Sequence, residues 1–176
     1  MAFVPFDDRD GWIWMDGDFV PWREAKTHVL THALHYGSSV FEGERMYGGE
    51  IFKLTEHSER LHRSANLLDF DLPYSVAEID AACKETCARM GLDDCYVRPV
   101  AYRGPEAVSV SASNNKTHVA IAVWEWPSYF DPETKAKGIR LEWAKWRRPD
   151  PMTAPSAAKA AGLYMICTMS KTAAEK

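Results

Sequence analysis

Apolar positions recur along the chain in two periods, and the switch between them marks most of the elements. Residues 12–15 and 19–22 are short, tryptophan-rich apolar runs separated by Asp16-Gly17-Asp18, a turn signal that predicts a hairpin. His28 to Tyr36 predicts a short helix stopping at Gly37. Ser38 to Tyr47 reads as a strand, and Gly48-Gly49 turns the chain into Glu50–Lys53. Helical spacing then takes over. Leu61, Ala65 and Leu68 recur at helical intervals through Asp69, with Thr55 as the candidate cap. Ser75-Val-Ala-Glu78 is a capping box, followed by Ile79, Ala82, Cys83, Thr86 and Met90, with Gly91 as the stop. Residues 96–102 and 119–126 read as strands, joined by a Ser/Asn-rich stretch, 103–117, of a length that loops keep for function.

Beyond residue 126 the pattern changes. Pro127 to Gly138 has linker character. Ile139 to Trp146 alternates Ile, Leu and Trp against Arg, Glu and Lys and predicts a strand, and after the Pro149-Asp-Pro151 bend a helix is expected from about Ser156. The division is an α+β domain over residues 1–126, an interdomain loop over 127–138, and the start of a second unit over 139–176. One strand and one helix cannot bury enough apolar area to stand alone, so this second unit is expected to be incomplete.

Composition adds exclusions. A formal charge of −4 and a pI near 5.9 give no general attraction to nucleic acid or anionic lipid. The longest clean apolar run, Val119–Trp124, is far too short to span a membrane, and the acidic stretch Met1–Asp10 is no signal peptide. Cys83, Cys87, Cys95 and Cys167 form no Cys-x-x-Cys pair, as expected of reduced thiols in a cytoplasmic protein.

Four groupings could carry chemistry. Lys159 stands among four alanines with no other charge from Met152 to Thr168. Small neighbours admit a flat ligand and partial desolvation makes an amine a better nucleophile, as a Schiff-base lysine requires; a lysine snorkelling from a buried alanine face is the default on composition alone. His28, His32 and His35 would share a helix face, and Glu42 could complete a metal site, but no zinc signature is present and hydrogen-bonding roles account for the histidines; no metal is expected. Tyr96 and Arg98 share one strand face, as do Phe41, Gly43 and Arg45, a set suited to an anionic small molecule or, alternatively, to a solvent-facing edge. Trp143-Ala-Lys-Trp-Arg-Arg148 interleaves aromatic and basic residues, but it is short and lies in an acidic chain. Arg60 on its own reads as a solvated helix charge pairing with Glu56.

Taken in order, several stretches resemble the branched-chain amino acid aminotransferases, class IV enzymes of fold type IV that use pyridoxal 5'-phosphate. They are Ile13–Trp22, His32–Gly43 with Arg45, Glu56-His-Ser-Glu-Arg60, Tyr96-Val-Arg-Pro99, Val119–Val123, Trp146-Arg-Arg-Pro149 and Ala157-Ala-Lys-Ala160. The resemblance implies a two-domain enzyme with a complete small domain and a truncated large one, active at the junction of domains and subunits of a homodimer or higher homo-oligomer. It implies transamination between leucine, isoleucine or valine and 2-oxoglutarate, with amino acids and 2-oxo acids as the partners. By position, Lys159 would form the Schiff base with the cofactor and carry the proton to and from the substrate α-carbon. Arg60 would bind the cofactor phosphate, and Tyr164 would sit near cofactor and substrate. Tyr36, Phe41, Gly43 and Tyr129 would line the substrate pocket, and Arg45, Tyr96 and Arg98 would receive carboxylates. Tyr36 and the 103–117 loop would be offered to a neighbouring subunit.

The chain also departs from that pattern. Glu44 stands where an apolar residue is usual, and a carboxylate there could change the charge of the pocket. Ala161 and Leu163 replace a usual glycine and asparagine, residues 105–115 differ from the family loop, and the later carboxylate that pairs with the pyridine nitrogen has no counterpart before Lys176. Other readings stay open: a D-amino acid aminotransferase, an aminodeoxychorismate lyase, or a non-catalytic domain that only associates with partner subunits.

Overall fold

Two long antiparallel strands, β6 (Cys95–Arg103) and β7 (Thr117–Trp124), run in register from Tyr96↔Trp124 to Arg103↔Thr117 and form the centre of the molecule. A computed structural model describes residues 4–126, 132–139 and 141–176. Alternation decides how the two strands face. Val97, Ala101, Val119, Ile121 and Val123 are buried beneath the helices, while Tyr96, Arg98, Tyr102, Ala120 and Ala122 turn to the opposite, open face. The hairpin of β1 (Trp12–Met15) and β2 (Asp18–Pro21) adds to β7 through Trp14↔Ile121. Its turn places Asp16 and Gly17 at φ 51° and 101°, as a two-residue hairpin of matching twist needs. On the other side β3 (Ser39–Phe41) and β4 (Glu44–Tyr47) both pair with β6, and β5 (Glu50–Ile51) pairs with β4. The order is β2-β1-β7-β6-β4-β5, with β3 also against β6.

The single strand expected over 38–47 is thus two strands, and Pro99 gives the reason. In an antiparallel ladder the N–H and C=O of a residue face the same neighbour, and Pro99 has a carbonyl but no N–H. That carbonyl accepts from Glu42 N at 2.9 Å, so the missing donor faces the break at Glu42-Gly43.

Helices α2 (Leu54–Leu67) and α3 (Val76–Met90) cover the buried face, with Leu61, Ala65, Ile79 and Cys83 at 0% exposure. The capping box at Ser75 and Glu78 is present and Gly91 ends α3 in the left-handed region. Thr55 does not cap α2. Lys53 occupies that position at φ 57°, and Thr55 Oγ1 instead donates to Asp80 Oδ2 at 2.6 Å, tying α2 to α3. Helices on one face of an antiparallel sheet make this an α+β fold, as the pattern predicts.

Four further expectations change. The first helix, α1 (His32–Tyr36), begins at His32 and ends at Gly37 with φ 68°, so His28 lies outside it and the three histidines share no helix face. Of the expected linker, residues 127–131 lie outside the described residues and Pro132–Lys137 forms a short helix, α4. The strand expected over 139–146 is absent from its described residues: Leu141 is 87% and Trp143 99% exposed, and no described strand pairs with them. Alternation sets which side chains share a face, but a ladder partner must satisfy the backbone. The last helix, α5 (Met165–Ala174), starts well after Ser156, because the chain turns at Ser156-Ala157 and Ala160 bridges Val40 of β3 instead.

Glu44 lies on β4 opposite Val97, on the helix-covered face, at 1% exposure. Neither carboxyl oxygen is hydrogen-bonded to a described residue. Burial, reinforced by the negative charges of Glu42 and Asp80 and opposed by Arg60, raises its pKa to about 8. A carboxyl that holds its proton more tightly folded than unfolded contributes its full stability below pH 4.5, and that contribution is lost as pH rises through about 8. Urea titrations should therefore show wild type losing roughly 4 kcal/mol relative to Glu44→Gln between those limits. Parallel pH profiles for the two proteins would contradict this placement.

Candidate active site

Residues 156–160 reach the fold through a turn at Ser156-Ala157 that ends in a bridge at Ala160, and the main-chain bonds at their end fix Lys159. Lys159 N donates to Ser64 Oγ of α2 at 3.0 Å, and its carbonyl accepts from Phe41 N of β3 at 3.2 Å. Ala160 bridges Val40, and Ala158 and Ala160 are buried in the core. The Arg148 guanidinium clasps the approach, donating from Nε to the Ser156 carbonyl at 2.8 Å and from Nη2 to the Ala158 carbonyl at 3.3 Å. The alanines thus let bare backbone lie against β3 and α2. Gly162 extends the close fit: a Cβ on Gly37 would meet its Cα at 3.2 Å, and a Cβ on Gly162 would meet the Gly37 carbonyl oxygen at 3.4 Å.

The Lys159 side chain leaves this seat toward aromatic rings. Nζ donates to Tyr164 Oη at 2.8 Å and stands 5.0 Å from the Phe41 ring centroid, and the Phe41 and Tyr164 rings are 4.8 Å apart. Tyr164 is held there by the short 3₁₀ turn Ala161–Leu163 that precedes α5. Across Phe41 lies Arg98, its guanidinium 4.9 Å from the ring and its Nη2 donating to Tyr96 Oη at 2.9 Å. Tyr96 packs against Trp124 and Trp126 at 4.9 and 5.4 Å, and Arg45 donates to the Trp126 carbonyl at 2.8 Å. Phe41, Arg45, Tyr96 and Arg98 therefore share the open face, and β6, with partners on both sides, is no solvent-facing edge. Gly43 sits at the strand break, where a Cβ would lie 2.1 Å from Tyr96 Oη.

Glu44 points the other way, into the helix-covered face, so its carboxyl adds no charge to this surface. Tyr36 stands apart, 45% exposed, beside His32 and a cavity of about 420 Å³ that also touches Arg103, Val110 and Gly162. Tyr129 lies outside the described residues. A larger groove of about 550 Å³ runs along the open face between Met15, Tyr102 and Ala122, and meets the lysine cluster through Arg98 and Gly162.

Arg60 does not pair with Glu56, which bonds Lys53 instead. Its Nε and Nη2 donate to Glu42 Oε1 and Oε2 at 2.6 and 2.5 Å, and His57 Nδ1 lies 2.8 Å from the same carboxylate. Glu42 is wholly buried, while the Arg60 side chain is 44% exposed. The hydrogen bond to Glu42 raises the guanidinium's already high pKa, and Tyr164 is near enough to act on its charge. Sequence reasoning considered Glu42 only as a possible companion of the histidines in a metal site, and expected no metal. They go elsewhere: His32 to Ser38 and Ser109, His35 to the Val29 carbonyl, and His28 Nδ1 to Leu30 N. Ser64 and Arg148 were also missed as elements of the site. The serine carries no motif, and Arg148 acts on backbone ten residues downstream.

An amine on a phenol, aromatic walls, and guanidinium groups at two sides suit a flat aromatic ligand bearing an aldehyde and anionic groups. Residues 39–176 match the family model for amino-transferase class IV. A branched-chain-amino-acid aminotransferase of Pseudomonas aeruginosa is 41% identical over 162 residues, 90% of this chain and 53% of that relative. The fold superposes on a T.th. branched-chain amino acid aminotransferase with pyridoxamine 5'-phosphate at TM-score 0.88 and 42% identity, covering 94% of this chain and 56% of that one. A branched-chain aminotransferase of Thermoproteus uzoniensis with norvaline gives TM-score 0.87 at 36% identity, over 95% and 57% of the two chains. The chain thus spans about half the length of the curated relatives it matches.

Gly43→Ala should drive Tyr96 from its stack on the tryptophans and cost about 1–3 kcal/mol in denaturant unfolding. Adding Tyr96→Phe, which removes the 2.1 Å contact, should restore part of that loss.

Proposed function

The chain belongs to the class IV aminotransferases, and from that premise we propose that the protein uses pyridoxal 5'-phosphate to move an amino group between branched-chain L-amino acids and 2-oxoglutarate. The observation that carries the reading is the Lys159 amine, hydrogen-bonded to Tyr164 and faced by Phe41, with Arg98 on one side and Arg60 near Tyr164 on another. The cofactor, when bound, supplies an electron-withdrawing ring that stabilises negative charge at the substrate α-carbon.

Each residue then has a task. Lys159 Nζ would hold the cofactor at its aldehyde, and the same amine is the group that would take and return the proton at the substrate α-carbon. Tyr164 Oη accepts a hydrogen bond from Nζ and keeps that amine directed. The outer edge of Arg60 binds the phosphate. Arg45, Tyr96 and Arg98 receive substrate carboxylates, and the Arg98–Tyr96 bond presents guanidinium and phenol as one unit. Phe41, Gly43 and Tyr129 would wall the side-chain pocket, and Tyr36, which stands apart from Phe41 and Gly43 in its own subunit, would wall that of a neighbouring subunit. A site of apolar walls with recessed cations accepts both a leucine side chain and the second carboxylate of glutamate.

The proposal extends to a homodimer or higher homo-oligomer in the cytoplasm, with Tyr36 and the 103–117 loop offered to the neighbour. Residues 139–176 would open the large domain, and Ala158 and Ala160, already buried with the first-domain core, would join the two. Among the described residues no helix is long and apolar enough to cross a membrane.

The protein as its gene encodes it should show a cofactor absorption band and turn over leucine with 2-oxoglutarate. Lys159→Ala should abolish the band and lower turnover by roughly 10³-fold or more, whereas Tyr164→Phe should keep the band with about a tenfold fall. Absence of the band in wild type with added cofactor would sink the reading, and preference for D-alanine or aminodeoxychorismate over leucine would redirect it within the class.

A further inference from the structure

We propose that Glu42 is a positioning residue for anion recognition: buried beneath Arg60, it locks the guanidinium so that its outward edge meets the phosphate of the cofactor. The inference rests on the reading of Arg60 as a phosphate ligand and assigns the group that makes it one.

The geometry supplies the reason. A guanidinium on a long side chain, 44% exposed at the surface of α2, loses considerable conformational entropy when an anion orders it. Here that ordering is already complete. Nε and Nη2 fork onto the two oxygens of Glu42 at 2.6 and 2.5 Å, leaving Nη1 without a hydrogen bond among the described residues. Glu42 is itself immobile. It has no exposed surface, its backbone N bonds the Pro99 carbonyl at 2.9 Å, and His57 Nδ1 sits 2.8 Å from Oε2. Arg60 lies on the α2 face one turn before Ser64, the residue that seats Lys159, so the fixed edge of the guanidinium and the amine are referred to the same helix.

The arrangement also sets orientation against charge. Glu42 offsets the charge of Arg60, so a phosphate meets a neutralised pair whose value lies in direction. Simple Coulombic attraction and positioning therefore predict opposite outcomes for Glu42→Gln. Removing a negative charge beside the phosphate would tighten binding if net charge governed it. It would weaken binding if the locked geometry governs it.

The experiment measures affinities of the protein for pyridoxal 5'-phosphate and for 5'-deoxypyridoxal, which keeps ring and aldehyde but lacks the phosphate. Glu42→Gln and Glu42→Asp, the latter keeping the charge while drawing it out of reach of the fork, should each weaken the phosphorylated ligand about tenfold and the deoxy ligand less than about twofold. Unchanged or tighter binding of the phosphorylated ligand in either variant overturns the proposal, as does equal weakening of both ligands, the mark of general structural damage. Should the Glu42 variants fail to fold, His57→Gln provides the same comparison, with a loss of about threefold confined to the phosphorylated ligand expected and an unchanged ratio overturning the claim. Wild type that takes neither ligand contradicts the proposed function itself, before any variant is made, and this inference falls with it.

Discussion

The seating of residues 156–160 on β3 and α2 is the contact on which the candidate site depends. Chain that joins no long ladder must still satisfy its polar backbone when buried. Here the partners come from three places: Ser64 for the Lys159 N–H, Phe41 for its carbonyl, and Arg148 for the carbonyls of Ser156 and Ala158. Phe41 supplies a main-chain donor to this segment and an aromatic ring beside the amine, so one residue sets both the height of the lysine backbone and the environment of its tip. The alanine-rich surroundings of Lys159 follow from this packing, since a bulkier residue at 158 or 160 would lift the segment off the sheet.

Much of this was legible from residue order. Period-two spacing correctly placed Tyr96 and Arg98 on one face, and the Ser75–Glu78 box and Gly91 fixed the ends of α3, because those signals act within a few residues. The class IV resemblance agrees with the family match and with the α+β fold. What escaped was set by distant partners. No local rule says that Glu42 will be forked by an arginine eighteen residues on, or that Arg148 will bond a carbonyl ten residues on. The pattern at 139–146 looked like a strand because alternation records only side-chain direction, and the lysine segment looked helical because alanine favours helix wherever tertiary contacts do not intervene.

Glu42 and Glu44 show how narrow that dependence on partners is. Both are carboxylates buried on or beside one short stretch of chain. Glu42 meets a forked guanidinium and a histidine, whereas Glu44 meets no donor among the described residues and holds its proton to about pH 8. The same side chain is forked by a cation at one position and meets no donor two residues later, and the difference lies in what α2 presents to each.

The contact of Gly37 with Gly162 carries a mechanical consequence. Side chains between two backbones act as a compliant layer, since a rotamer change can absorb a small shift of either. No such layer exists where the chain ending α1 touches the turn after Lys159. Displacement on one side is transmitted to the other undamped, so α1, with Tyr36 upon it, and the lysine turn move as one stiff joint.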